Sequence, residues 1–485
     1  MTLYQRLVLL ALFIVSCQPD TTPVNPLNGV WKSLGSGRMM YIEDSNYHLY
    51  DLTQVSCLSN RISSIQEFGD ALKVEKDTLN ITIGIITYQY IRAEQLPELC
   101  FFDISPAKKE DPLYNFEVFA ATIQEHHAFF DLNGIEWDSI YSVQRNKLTQ
   151  QSTPLELFEV METTLALIKD NHGFLEGDDA LYASMEEQAE KLSAERGKHK
   201  EVESNEMESS IKEYGDFEIA KMVADHYLKE DKTKDSWLMQ WGLMENNIGY
   251  IQIKAMWLFA DLNLKKEAIE QNGYVSAYVD AFHELNEADY IKREAAGVSV
   301  LMEQIMKDLQ SADQIILDIR FNGGGQDKVA LEILRHFNGI DRVVAQEKLR
   351  MGNTFSPIQK IELKGLESAF TRPVFLLTSP QTGSAAEAMS LASLEIPHIK
   401  RIGSPTAGAL STALEKKLPN GWDFAISNEY YMGLNDQLYE NIGVPVDIDM
   451  HYAKDRQAFF KSIANDLDKD KQLVLEAVDG LSKKE

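Results

Sequence analysis

Basic residues are in short supply: 47 Lys and Arg stand against 75 Asp and Glu, a formal net charge of −28 over 485 residues. A field of that sign repels a phosphate polymer and argues against a nucleic-acid partner. Cysteine is scarcer still, and the three present are too few for a disulfide-scaffolded fold or a cysteine-only metal site. Long apolar runs are missing as well. The run at residues 7–15 would rise about 14 Å as a helix, well short of the ~30 Å of a bilayer core. The remainder, 44% hydrophobic and 25% charged, is globular in composition, and its length is too great for one small module.

One cation (Arg6), a short apolar core and a small residue make residues 1–17 an export signal by layout. Ile14-Val15-Ser16-Cys17 resembles a bacterial lipobox, which implies lipidation of Cys17 and a location in the cell envelope. Gln18 rather than Asp after that cysteine favours the outer membrane, again by resemblance to lipoprotein sorting. Residues 18–27, with three prolines, read as a tether. Export places Cys57 and Cys100 in an oxidising space, where a disulfide and two buried thiols are both open readings.

Residues 28–104 favour strands, at 39–42, 48–51 and 81–91, and predict a small β-barrel or sandwich. Residues 108–176 carry apolar side chains at helical spacing (Phe116, Phe119, Ile123, then Leu157, Phe158, Met161) and predict a helical cap ending just before His172. His126 and His127 in this layer read as part of an aromatic-rich packing face rather than a metal site. Residues 177–236 read as a charged helical insert, placed where it would gate a cleft. From 237 to 455 strands alternate with helices, which predicts an α/β core with buried strands at 248–253, 314–320 and 374–378 and helices at 301–309 and 385–394. Residues 456–485 close the chain with an amphipathic helix.

Three short motifs carry chemistry. Asp318-Ile-Arg-Phe-Asn-Gly-Gly-Gly325 ends a buried strand in glycines, whose amides are free to approach an oxyanion. A phosphate loop is a poorer reading, because its lysine and hydroxyl are out of register and Asp327 follows. Thr378-Ser-Pro-Gln-Thr-Gly-Ser384-Ala-Ala-Glu387 puts Ser384 where a helix begins. A hydroxyl there serves as a nucleophile at the positive helix end or, more ordinarily, as an N-cap. Gly403-Ser-Pro-Thr-Ala-Gly408 and Tyr439-Glu-Asn-Ile-Gly-Val-Pro-Val-Asp447 are turns in isolation.

Taken in order with Asp170-Asn-His172, these motifs resemble the tail-specific (C-terminal processing) protease family, in the branch typified by the core of tricorn protease and shared with photoreceptor retinoid-binding repeats. The resemblance implies a crotonase/ClpP-like α/β core and a serine endopeptidase acting on peptides or unfolded proteins. It makes Ser384 the nucleophile, His172 the general base and Glu440 the carboxylate of the charge network, with Asn171 in the fourth position. It gives an oxyanion hole to Ala385 and to Gly323 or Gly324. A histidine of pKa ~6.5 suits the removal of a serine proton near neutrality, and a tautomer-fixing partner is expected for it. No metal or cofactor is implied, nor is an oligomeric state.

The chain departs from the family at specific places. The lysine of a Ser–Lys dyad is replaced by Ala409, and Lys416 and Lys417 lie too far along to stand in. The serine before the histidine is Asn171, and the last motif carries its proline one place early. Residues 177–247 lack the glycine-rich loop of a PDZ domain. These departures keep a second reading open, a non-catalytic peptide- or lipophile-binding protein on the same scaffold.

Overall fold

The computed structural model describes residues 25–199 and 213–482. The export signal, Cys17 and most of the tether lie outside the described residues, as do residues 200–212 of the insert.

The core is a seven-stranded sheet in the spatial order Ile448–Asp449, Ile399–Gly403, Val374–Thr378, Gln314–Asp318, Ile248–Ile253, Met239–Leu243, Glu230–Asp231. Its first five strands run parallel, and Met239–Leu243 pairs antiparallel with both of its neighbours. Strands Ile248–Ile253 and Val374–Thr378 are buried at every position, as expected where helices cover both faces. Alternation sorts their side chains: Ile251, Ile253, Leu317 and Leu376 meet helices Glu287–Asp308, Asp327–Arg335 and Ala385–Ser393. Tyr250, Ile316, Phe375 and Leu377 meet helices Asp216–Tyr227, Arg456–Ala464 and Leu467–Ser482. Under that second layer the buried Arg320 guanidinium binds Asp318 (2.8 Å) and Asp470 (2.9 Å) and so ties the last helix to the sheet.

Helices Pro112–His126, Trp137–Arg145 and Pro154–Ile168 form the cap. Their apolar stripes pack on a three-stranded sheet of Ala413–Lys417, Asp423–Ser427 and Phe174–Glu176. Phe119 meets Phe424 and Phe158 meets Trp422 edge to face. The edge strand Phe174–Glu176 begins two residues after His172, so the histidine loop is held between a helix end and a strand.

The N-terminal region is one antiparallel sheet in the order Cys57–Ser64, Asn46–Leu52, Arg38–Glu43, Gly29–Ser33, Ile86–Ala93, Thr78–Ile83, Leu72–Glu75. Trp31, Met40, Ile42, Leu79 and Ile81 form its core. No pairing joins its two outer strands among the described residues, so it is an open version of the expected barrel. Cys57 and Cys100 are bonded to each other. The sheet docks on the α/β core through the turn around Gly35 and Gly37. There the buried Lys416 ammonium donates to the Ser36 carbonyl (2.7 Å) and pairs with Asp51, and the Asn428 amide donates to the Gly35 carbonyl (3.3 Å).

Four elements differ from their sequence-based outlines, one being the closing helix expected over 456–485, which is two, Arg456–Ala464 and Leu467–Ser482. The expected strand at 81–91 is a hairpin, broken at Gly84, whose φ of +64° suits a tight turn. The helix expected at 301–309 begins at Glu287, capped by Asn286, whose side chain accepts from the Asp289 amide. Helix Asp216–Tyr227, assigned to the charged insert, belongs to the core, because Ile219, Ala220, Val223, Ala224 and Tyr227 form a buried stripe against the sheet.

Candidate active site

Ser384 sits between strand Val374–Thr378 and helix Ala385–Ser393 with φ +52° and ψ −125°, a backbone conformation that L residues rarely adopt. Several contacts hold it there. The Glu387 carboxylate accepts from the amides of Ser384 (3.2 Å), Gly408 (2.7 Å) and Ala409 (2.7 Å) and from the Thr406 hydroxyl (2.6 Å). The Ser384 amide also donates to the Ala409 carbonyl (3.2 Å). Together these contacts lash the Gly403–Gly408 turn to the nucleophile candidate. Burial nonetheless pushes the Glu387 carboxyl upward, against those donors.

The glycine segment is fastened to the same turn. The hydroxyls of Ser379 and Thr382 donate to the carbonyls of Arg320 (2.6 Å) and Ile319 (2.9 Å), and the Gly383 amide donates to the Asn322 carbonyl (3.1 Å). A Cβ on Gly324 would lie 2.6 Å from Ser384 Cβ and 3.1 Å from the Ala385 nitrogen, so the glycine is sterically required there. Of the two glycine amides nominated for the oxyanion hole, that of Gly324 is occupied: it donates to Asn322 Oδ1 at 2.9 Å. The amides of Gly323 and Ala385 have no acceptor among the described residues. The pair left to bind an oxyanion is therefore Gly323 and Ala385, at a helix N-terminus that favours negative charge.

On the opposite side, Glu440 is buried and accepts from the amides of Leu410 (2.8 Å) and Ser411 (3.1 Å) and from the Asn171 side chain (3.1 Å). Asn171 also donates to the Gly408 carbonyl (2.9 Å) and to Asn441 Oδ1 (2.9 Å). Asn171, Glu440 and the loop joined to Ser384 thus form one hydrogen-bonded network. Burial pushes the Glu440 carboxyl up to about 7, against the pull of its donors.

His172 enters differently. Its backbone amide donates to Asp170 (3.0 Å), but its ring Nδ1 is buried without a partner. No hydrogen bond joins the imidazole to Ser384, Glu440 or Asn171 among the described residues. Among the described residues no partner fixes its tautomer: Glu440 accepts from Asn171 and the loop, and Asp170 holds the backbone of His172. Burial lowers the His172 pKa while Asp170 raises it, with burial the larger effect.

Residues 247–450 match the family model described as Peptidase family S41. The chain carries an S41 peptidase domain. Solved structures similar to it include the following two. The "putative peptidase from Parabacteroides merdae" is 19% identical, with 77% of this chain and 96% of that one covered and a TM-score of 0.52. Mature CPAF is 9% identical, with coverage of 77% and 98% and a TM-score of 0.50. At those identities the likeness is one of fold.

Four residues around the candidate site carry no role in the sequence-based reading. Asn322 clamps the oxyanion loop, donating to the Ile253 carbonyl (3.1 Å) while accepting from Gly324. Its place in the Asn-Gly-Gly-Gly run was the available signal. His127, read as packing, does pack on Phe130, yet its Nδ1 also meets Asp170 at 3.0 Å. Asp170 further accepts from the Ser427 amide (2.8 Å) and hydroxyl (2.6 Å), and so fixes the histidine loop to the three-stranded sheet. Lys254 lines a cavity of about 700 Å³ together with Gly323, Gly324 and Trp257. Burial lowers its pKa, and nothing in the sequence pattern marks it. Lys416, set aside as a dyad lysine, is committed to the N-terminal sheet.

Proposed function

We propose that this protein is a serine endopeptidase that cleaves peptides or unfolded proteins through an acyl-enzyme on Ser384. The observation that carries this reading is the strained Ser384 elbow, packed against Gly324 with two unoccupied amides beside it. Ser384 Oγ attacks the scissile carbonyl carbon as its proton passes to His172. The oxyanion is held by the amides of Gly323 and Ala385. Collapse breaks the C–N bond, and the amine leaves with the proton from His172. Water then repeats the sequence on the ester and restores the serine. The lowered His172 pKa favours the neutral, proton-accepting imidazole near pH 7. Asn171 and Glu440 support the loops on either side in the manner of the tricorn-like branch, without a PDZ module.

A fluorophosphonate probe tests this directly. Folded native protein is expected to label on one serine, and Ser384→Ala to lose the label. Absence of labelling across pH ~6–9, where the imidazole is largely neutral, would move the assignment to the second reading, a peptide- or lipophile-binding protein. The unpartnered imidazole of His172 is the observation that favours that alternative.

We also propose that the protein is an exported lipoprotein held to the envelope by a lipidated Cys17, with the outer membrane as the favoured site. The lipobox-like sequence supports this, and a disulfide between Cys57 and Cys100 suits an oxidising compartment. Growth with a clickable fatty acid should label the native chain and not Cys17→Ser; equal labelling of both would remove the anchor from the proposal.

A further inference from the structure

The cavity at the glycine segment has a neighbour. A second cavity of about 660 Å³ lies between the inner face of the N-terminal sheet and the three-stranded sheet that follows His172. His283, Glu287 and Glu415 line both, so the two cavities adjoin. One end of this groove holds Gly323 and Gly324, and the other holds Phe174, two residues beyond His172. We propose that the N-terminal sheet forms the far subsite of the substrate cleft and binds an extended peptide segment carrying a large apolar side chain next to a basic one.

The chemistry of the walls selects that occupant. The N-terminal sheet contributes Met40, Leu49, Ile81, Ile83 and Tyr88, a largely apolar and aromatic surface whose cation Arg38 is paired with Asp51. The facing side is polar and acidic. Its Lys417 is paired with Asp423, and at the rim Arg61 is paired with Glu67. Glu176, Glu287 and Glu415 form no ion pair among the described residues, which leaves carboxylates at the junction of the two cavities. Glu287 is pushed upward by burial and by Glu415, with Arg38 opposing. A lipid would match only the apolar wall. A peptide satisfies both, with its apolar side chain on the sheet and its cation beside the carboxylates. Volumes of this size hold several residues, and the adjoining glycine segment sets the register relative to Ser384.

This inference rests on the peptidase reading for its substrate but is testable apart from turnover. The probes are fluorescent twelve-residue peptides with a Phe-Lys pair moved stepwise along the chain, each compared with its Ser-Ser counterpart. Binding is measured by anisotropy to full-length Ser384→Ala. Tight binding is expected at one placement of the pair, weakened about tenfold by the added change Tyr88→Ala. The added change Glu415→Gln, which removes no packing, is expected to abolish the preference for Lys over a neutral residue at that placement. It serves as the reporter if the Tyr88 variant is unstable. Binding at one placement without cleavage by native protein would sink the peptidase reading and leave the subsite standing. Equal affinity for all placements, or no response to either change, would overturn the subsite. So would retinol or a fatty acid that fills the cavity without competing with any peptide.

Discussion

The two halves of the candidate site are built to different standards. Around Ser384 nearly every polar group is spoken for: Glu387 accepts four hydrogen bonds, Asn322 clamps the glycine segment from both ends of its amide, and Gly324 touches the serine with no room for a methyl group. Around His172 the backbone is equally well anchored, through Asp170, Ser427 and His127, yet the ring itself holds no partner on Nδ1. Ser384 and the glycine segment beside it are held in place by these contacts. The loop of His172 is fixed by its backbone contacts, while its ring is not fixed through Nδ1. An arrangement of this kind suits a peptidase whose imidazole is aligned only once a peptide fills the cleft, since catalytic hydrogen bonds often tighten in the complex.

The largest effect that this contrast predicts is at Gly324. A Cβ there meets Ser384 Cβ at 2.6 Å and the Gly383 carbonyl oxygen at 2.8 Å, and φ is +114°, so Gly324→Ala must displace the serine or the glycine segment. Turnover or fluorophosphonate labelling rate should fall on the order of 10²–10³-fold, the range for a lost oxyanion donor, because the displaced segment carries the Gly323 amide with it. The melting temperature should fall less than a core cavity mutant's would. Near-native labelling by Gly324→Ala would mean that the elbow is not rigid, and the contrast between the halves would collapse.

Much of this was legible in the sequence because it rests on local chemistry. Buried parallel strands announce themselves as apolar runs, and Ile248–Ile253 and Val374–Thr378 are buried at every position. Ser384 after a strand and before a small-residue helix placed the elbow. The Gly-Gly-Gly run placed the oxyanion segment but not its chemistry. Which glycine amide is free depends on where the Asn322 side chain turns, a matter of tertiary packing. His127 and Asp170 are 43 residues apart, so no local pattern joins them. The long helix Glu287–Asp308 was read at only one end, because its first half is densely charged and contains Gly297. That glycine is needed where a Cβ would meet the Phe259 carbonyl oxygen at 1.9 Å. Helix Asp216–Tyr227 follows a charged stretch whose composition masked its buried stripe.

A smaller effect sharpens the comparison from the other half. Glu440 is buried, and its carboxyl is raised from 4.5 to about 7, chiefly by burial, against the amides of Leu410 and Ser411 and the side chain of Asn171. A carboxyl that binds its proton more tightly folded than unfolded contributes stability that is fully present below the unfolded value. That stability is lost as pH rises through the folded value. The window is therefore roughly pH 4.5 to 7, and the loss across it is on the order of 3 kcal/mol. Glu440→Gln keeps an oxygen for the Leu410 and Ser411 amides but has no proton to lose. Its denaturant midpoint should fall less than the native protein's between those pH values, with the two curves converging toward acid once the overall offset is removed. Asp327, also raised by burial to about 7, titrates with the same sign in both proteins and cancels in the difference. Parallel curves would mean that Glu440 is already ionised at the lower pH. The base side of the site would then be as electrostatically settled as the nucleophile side, and the missing partner of His172 would need another explanation.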